Sequence, residues 1–275
     1  MTEHQTLLDA AIKAAQLGGE VLNRYLSEGV QMRDKSSAGG KTYDLVSDAD
    51  LDSEKAIGEY LGNLFPDHEL LGEEDLDGDV NADHLWVIDP LDGTNNYAHG
   101  IPHFAVSIAH YHLGKPTVGV IFNPARNDLF TAAENQGAYR NGQQVKVCDS
   151  DSLAQTLVGC GFYYDRGAMM RSTLNAVEEF FGHDIHGIRR FGTASLDLCQ
   201  VGCGQFGAFF EYQLSPWDFA AGRLFVEEAG GRVTDGRGGP LPLEMSSVVA
   251  SNGQLHEIAI DITARHHPST KPSDS

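Results

Sequence analysis

Cysteine is scarce in this chain. Four cysteines occur among 275 residues, at positions 148, 160, 199 and 203. They form no C-x-x-C pair and lie in no zinc-type histidine pattern, which excludes a disulfide-stapled scaffold and a zinc finger. Cys199 and Cys203 are spaced to share a helix face and read as buried free thiols. Long apolar runs are also missing, so no segment has membrane-spanning length. The N-terminus begins Met-Thr-Glu-His, without a basic stretch ahead of an apolar core. No signal peptide is therefore expected, and a reducing cytoplasm is the expected location. Basic residues are outnumbered, 19 Lys and Arg against 39 Asp and Glu, for a formal charge of −20. Such a field disfavours nucleic acid and anionic membranes as partners. A phosphate-bearing substrate would need local positive charge, which metal ions held by clustered carboxylates can provide.

What is present is ordinary globular material, 41% apolar and 21% charged, enough for one large domain or two closely packed halves. Apolar residues recur at helical spacing from Thr6 to about Ser27, interrupted by Gly18-Gly19, where another element is expected to approach closely. Residues 28–43 read as a mobile hairpin or loop able to close over a site, with Lys35 or Lys41 as its charge. A helix follows Ser47–Asp50, a short strand covers Leu70-Leu71, and several antiparallel strands run from Phe104 to Val147. Residues 1–150 thus read as an α+β half. Residues 151–265 alternate strands and helices and read as an α/β half. Small residues in the helix Phe219–Ala229 suggest tight packing. The tail 266–275 is expected to be disordered.

The chain is organised around Trp86–Tyr97, W-V-I-D-P-L-D-G-T-N-N-Y. Trp86, Val87 and Ile88 read as a buried strand, which then delivers Asp89 and Asp92 with no basic residue between them. Two such carboxylates at a strand end would repel each other, and a hard divalent cation is the simplest remedy. Pro90 restricts the exit of the chain, Gly93 lets backbone approach a ligand, and Thr94 reads as a helix N-cap. Acids recur at other element ends, at Asp50, Glu73 and Asp218. Each alone has a plain alternative as a cap or a solvated turn, Asp218 as the N-cap of the helix beginning at Phe219.

Four spaced motifs carry a resemblance: D-L-V-S-D-A-D at 44–50, L-G-E-E-D at 71–75, the stretch 86–97, and W-D-F-A-A-G-R-L-F-V-E-E-A-G-G at 217–231. Over residues 5–262 the chain resembles the inositol monophosphatase family of magnesium-dependent phosphatases, within the superfamily that includes fructose-1,6-bisphosphatase. The resemblance implies a layered α/β/α/β/α sandwich and a homodimer. It implies metal ligands at Glu73, Asp89, Asp92, Asp218 and the Leu91 carbonyl, with Asp50 and Thr94 acting on the attacking water. Gly192, Thr193, Ala194 and Glu211 match positions that contact the substrate's alcohol portion. An oxygen-only donor set suits Mg²⁺ or Mn²⁺ better than zinc, and the resemblance implies two ions or three, the third near Glu73. The N–H groups of Gly93 and Thr94 would hold phosphate oxygens.

Asn95-Asn96-Tyr97 is closer to the inositol monophosphatase pattern than to related phosphatases with a lysine after the G-T pair. The implied activity is hydrolysis of a small phosphorylated polyol, myo-inositol monophosphate first, with lithium sensitivity as a family trait. The alternatives are fructose 1,6-bisphosphate, histidinol phosphate or a nucleotide phosphate on the same scaffold, or a regulatory binding protein. This chain departs from the commoner pattern in having Leu at 91, Asn at 95 and Tyr at 97.

Overall fold

The computed structural model describes residues 3–28, 32–34 and 45–268. Within them the chain builds five layers. The outermost holds α1 (Glu3–Glu28) and α2 (Asp48–Leu64). Gly18 and Gly19 are where α1 is approached closely, as the sequence suggested: a Cβ on Gly18 would meet Ile57 and Ser53 at 2.8 Å, and one on Gly19 would meet Phe122 at 2.8 Å. The backbone of β1 (Met32–Asp34) pairs antiparallel with β2 (Leu45–Ser47). Residues 35–44, with Lys35 and Lys41, lie outside the described residues.

The second layer is a seven-stranded sheet in sequence order: β3 (Glu69–Gly72), β4 (His84–Asp92), β5 (Ala105–His112), β6 (Lys115–Asn123), β7 (Asp128–Ala133), β8 (Gly137–Arg140) and β9 (Gln143–Val145). Within this sheet, among the described residues, only β3 and β4 pair in parallel. The β8–β9 hairpin turns through Asn141 and Gly142, both at positive φ, as the Asn-Gly pair requires. Strand β4 runs on to Asp92, beyond the Trp86–Ile88 core that the sequence suggested. Its ladder shifts between Asp89 and Asp92, and that irregularity accommodates Pro90, which has no N–H to donate. A short helix, α3 (Thr94–Ala98), follows directly.

The second half supplies the other three layers. A five-stranded sheet, ordered β11-β10-β12-β14-β13, is made of β10 (Leu157–Cys160), β11 (Gly187–Arg189), β12 (Ala208–Leu214), β13 (Arg232–Thr234) and β14 (Ser246–Ser251). Helices α5 (Ala194–Gly202) and α6 (Pro216–Glu228) lie between the two sheets, and α4 (Ala168–Phe181) with α7 (His256–Arg265) cover the far face. Strand alternation sorts the cores. Trp86 and Ile88 point to the α1/α2 side while Val87 faces α5 and α6. Phe209 faces the central helices and Phe210 the outer ones. Each large side chain so buried contributes roughly 1.5–3 kcal/mol. The small residues of α6 answer to its position: a Cβ on Gly222 would meet Leu198 at 2.5 Å, and one on Gly119 would meet the Ala221 carbonyl at 2.8 Å.

All four cysteines are free, with Cys160 and Cys199 buried. His266 and His267, placed in the expected tail, pack on the body of the second half: His266 bonds Glu179 at 2.5 Å and the His267 ring lies 5.3 Å from Tyr212. The last turn of α7 is thereby held. Residues 269–275 lie outside the described set. Among the described residues no helix is long and apolar enough to cross a membrane.

Candidate active site

A cleft of about 310 Å³ opens where the two sheets present their strand ends to each other. From the first half come Glu73 beyond β3, Asp89, Leu91 and Asp92 on β4, and Gly93, Thr94 and Asn95 at the start of α3. The second half supplies Gly192–Ala194 ahead of α5, Glu211 on β12 and Asp218 on α6. Among the described residues, Arg190 is the one cationic side chain in the lining.

Three of the expected carboxylates converge in the cleft. One oxygen each of Asp89, Asp92 and Asp218 lies within 4.8 Å of the others. Asp89 is wholly buried. Its Oδ1 accepts the Leu91 N–H at 3.0 Å, whereas Oδ2 is buried without a protein partner. Burial raises the Asp89 carboxyl well above the usual range, and the charges of Glu73, Asp92 and Asp218 raise it further. Asp218 is raised well above its range by burial, then by Asp92 and Glu73. Burial also lifts Asp92, to about 6, against the pull of its bonds to Ser195 and Ala194. An unpaired buried carboxylate oxygen among mutually repelling acids is the donor set a divalent cation satisfies.

Asp92 has a second duty that its spacing did not show. Its Oδ2 accepts the Ser195 N–H at 2.7 Å and the Ser195 hydroxyl at 2.5 Å, and Oδ1 accepts the Ala194 N–H at 3.2 Å. It thereby caps α5 and pins the second half of the chain to β4. Asn96 reinforces the same joint, its amide donating to the carbonyls of His103 and Phe191, each at 2.8 Å. The φ of Gly93 is +93°, and a Cβ there would collide with the Thr193 hydroxyl oxygen and the His103 carbonyl. The glycine thus admits Thr193 rather than only a ligand.

Gly93, not Thr94, occupies the N-cap of α3. Thr94 is the first helical residue, and its hydroxyl donates to the Leu91 carbonyl at 3.2 Å. The cap of α6 is Ser215 rather than Asp218: Asp218 Oδ2 accepts the Ser215 N–H at 2.7 Å in a capping box. The pyrrolidine of Pro216 suits the first helical position and draws the helix start upstream of Phe219.

Asp50 is buried in the first turn of α2 and is not part of the cleft lining. Burial raises the Tyr97 hydroxyl, and the nearby Asp50 charge raises it further. Glu54, one turn on, went unnoticed in the sequence. It is 2% exposed and accepts the backbone N–H groups of Glu74, Asp75 and Leu76 at 3.0, 2.6 and 3.1 Å. It therefore holds the loop that carries Glu73. The signal was legible: Asp50, Glu54, Ile57 and Leu61 share one helix face, so two acids sit in an apolar stripe.

On the opposite wall, Glu211 packs where Gly161 has no side chain. Burial lifts its carboxyl to about 8, with Arg190 opposing and Asp92 adding to the shift. Thr193 turns its hydroxyl inward, to the His103 carbonyl at 2.8 Å, so it presents backbone to the cleft.

Residues 3–267 match the family model described as the inositol monophosphatase family. The chain is 39% identical to the protein named Nus factor SuhB of Pseudomonas aeruginosa, over 96% of this chain and 98% of that one. It is 38% identical to the inositol-1-monophosphatase of Rhizobium meliloti, again over 96% and 98%. Among solved structures, the inositol monophosphatase from Anabaena superimposes with a TM-score of 0.83 at 37% identity, covering 98% of this chain and 99% of that one.

Proposed function

Since the chain belongs to the inositol monophosphatase family, we propose that it is a magnesium-dependent phosphatase of small phosphorylated polyols, with myo-inositol monophosphate the first candidate. The observation that carries this reading is the unpaired Asp89 Oδ2 among the carboxylates of Asp92 and Asp218. Glu73, Asp89 and the Leu91 carbonyl are assigned to one Mg²⁺, and Asp89, Asp92 and Asp218 to a second; Mn²⁺ suits the same oxygens. Ions so held supply a water of lowered pKa and neutralise charge on the leaving oxygen.

The chain's own residues do the rest. Thr94 gives its hydroxyl proton to Leu91, so its oxygen is left to accept from a water and orient it. Asp50 lies outside the cleft lining, and its assignment as the further proton acceptor rests on the family resemblance. The N–H groups of Gly93 and Thr94 receive phosphate oxygens. Glu211, with the backbone of Gly192, Thr193 and Ala194, faces the alcohol, and its carboxyl group exchanges hydrogen bonds with ring hydroxyls. The lining is oxygen-rich, which favours a polyol over an apolar leaving group. The reading includes a homodimer, which light scattering on the purified chain tests.

The deciding experiment is Mg²⁺-dependent phosphate release from myo-inositol 1-phosphate, compared with fructose 1,6-bisphosphate, histidinol phosphate and a nucleotide phosphate. Preference for the inositol ester, abolished by chelation and inhibited by lithium, supports the proposal. Turnover that ignores chelation sinks the metal assignment, and a preference for another ester replaces the substrate. Relatives bearing the name Nus factor give a regulatory role some weight, and the −20 charge argues that any such role runs through protein rather than RNA. Absence of turnover on every ester would favour it.

A further inference from the structure

The end of β4 opposite the carboxylates carries a second convergent group of donors. In the parallel β3–β4 register Glu69 lies beside Leu85, which sets His68 beside His84, and His84 pairs directly with His112 on β5. One row along, Trp86 pairs with His110. The His68 and His84 rings stack at 4.5 Å, His84 and His112 lie tilted 4.4 Å apart, and His68 lies 5.2 Å from His110. Side chains of one sign of alternation face the α1/α2 layer, so all four imidazoles lie on one face of the sheet.

Two of these rings present bare nitrogens. His110 is completely buried. The Thr117 hydroxyl gives its one proton to the His110 carbonyl at 3.1 Å, so His110 Nδ1 must donate to that oxygen, 2.6 Å away. The His110 lone pair is therefore on Nε2, which is buried and has no partner. His84 Nδ1 is likewise buried without a partner. A ligand nitrogen of each, and one of His68, lie within 4.8 Å of one another. His68 and His84 are half-exposed at the rim, giving an ion a way in.

We propose that His68, His84 and His110 form a binding site for a borderline transition-metal ion such as Zn²⁺ or Ni²⁺, separate from the oxygen-lined cleft. The donor chemistry sets the class: three imidazoles and no carboxylate suit such ions and offer little to Mg²⁺. His110 is held neutral at physiological pH, its pKa pushed down to about 3 by burial and by the surrounding histidines. It is thus a ready ligand without prior loss of a proton. Its Nδ1 bond to Thr117 fixes the tautomer and aims Nε2, the support that ligand histidines ordinarily have. Metal–nitrogen bonds of about 2.0–2.1 Å require the rings to draw closer by roughly 1 Å. His68 precedes β3 and is the ring able to move. Its Nδ1 accepts the Trp86 indole N–H at 3.1 Å, so engaging this ring perturbs Trp86. His84 and Asp89 are five residues apart on β4, about 17 Å at strand rise, so the two sites do not share ligands.

Trp86 is the reporter. It lies 4.8 Å from the His110 ring, and the chain's other tryptophan, Trp217, belongs to the cleft. The full chain carrying Trp217→Phe is titrated with Ni²⁺ in saturating Mg²⁺, and Trp86 emission is followed. The expected result is saturable quenching at one equivalent, with a Kd of about 10 µM or tighter. His84→Gln and His68→Gln should each weaken it at least about ten-fold, while Mg²⁺-dependent phosphate release by His84→Gln stays at the parent level. These two rim variants carry the test if His110→Gln fails to fold. No saturable quenching, or the same Kd in both rim variants, overturns the proposal.

Discussion

Glu54 accepts the Asp75 backbone N–H at 2.6 Å, from a helix to a loop twenty-one residues away. The same carboxylate takes two neighbouring N–H groups, and Gly72 has no side chain to obstruct it. Three donors on one buried anion fix the loop bearing Glu73. Glu54→Gln replaces an accepting oxygen with an NH₂ that faces a donor. Stability should fall by about 1.5–3 kcal/mol, and the Mg²⁺ concentration giving half-maximal phosphate release should rise about ten-fold. An unchanged Mg²⁺ dependence would remove Glu54 as a positioning residue.

Asp92→Asn tests the carboxylate that both caps α5 and faces the cleft. Asparagine keeps one acceptor, loses the charge and turns an NH₂ towards Ser195 or Ala194. Phosphate release should drop by at least about a thousand-fold. Thermal unfolding should shift down by several degrees, for roughly 1–3 kcal/mol, with an unchanged far-UV spectrum. Ser195→Ala separates the two duties, since it removes only the hydroxyl bond. It should cost about 1 kcal/mol while activity stays within a few-fold.

Gly161→Ala places a methyl where the Glu211 carboxylate sits. The carboxylate must move, because it is the far end of the flexible partner. KM for the preferred polyol phosphate should rise about ten-fold with kcat little altered, as expected for loss of binding common to ground and transition states. A fall in kcat at constant KM would place Glu211 in the chemistry instead.

Glu211 also predicts a pH dependence in the metal-free protein. Its folded value of about 8 lies above the ordinary glutamate value of about 4.3. The folded chain therefore holds a proton that the unfolded chain releases between those values, and stability falls as pH rises through that window. Glu211→Gln abolishes this contribution. Between about pH 5 and pH 8 the variant should lose less in Tm than the parent. Equal losses would show that Glu211 is not the group responsible.

Local pattern made much of the fold legible. Strand alternation at Trp86–Ile88, the Asn141-Gly142 turn and the helical spacing of α1 each rest on contacts within a few residues. The cluster of Asp89, Asp92 and Asp218 was anticipated from motif resemblance, and its geometry now has an unpaired oxygen to show for it. Boundaries were harder. Strand β4 continues through Pro90 because a ladder irregularity absorbs it, and the cap of α3 is a glycine at positive φ whose missing Cβ leaves room for the Thr193 hydroxyl.

By itself the sequence determined the alternation of elements, the excess of acids at their ends and the family to which they belong, because these depend on residue type and spacing. Tertiary structure alone decided which partners those acids face. Ser195 reaches Asp92 from 103 residues away, the Thr193 hydroxyl turns inward, and Glu54 holds the loop of Glu73. It also gathered His68, His84 and His110 through strand register, where no spacing along the chain relates them. Hydrogen bonds and ring stacking act over a few ångströms of space, and chain separation carries no record of which surfaces the packing of five layers brings together.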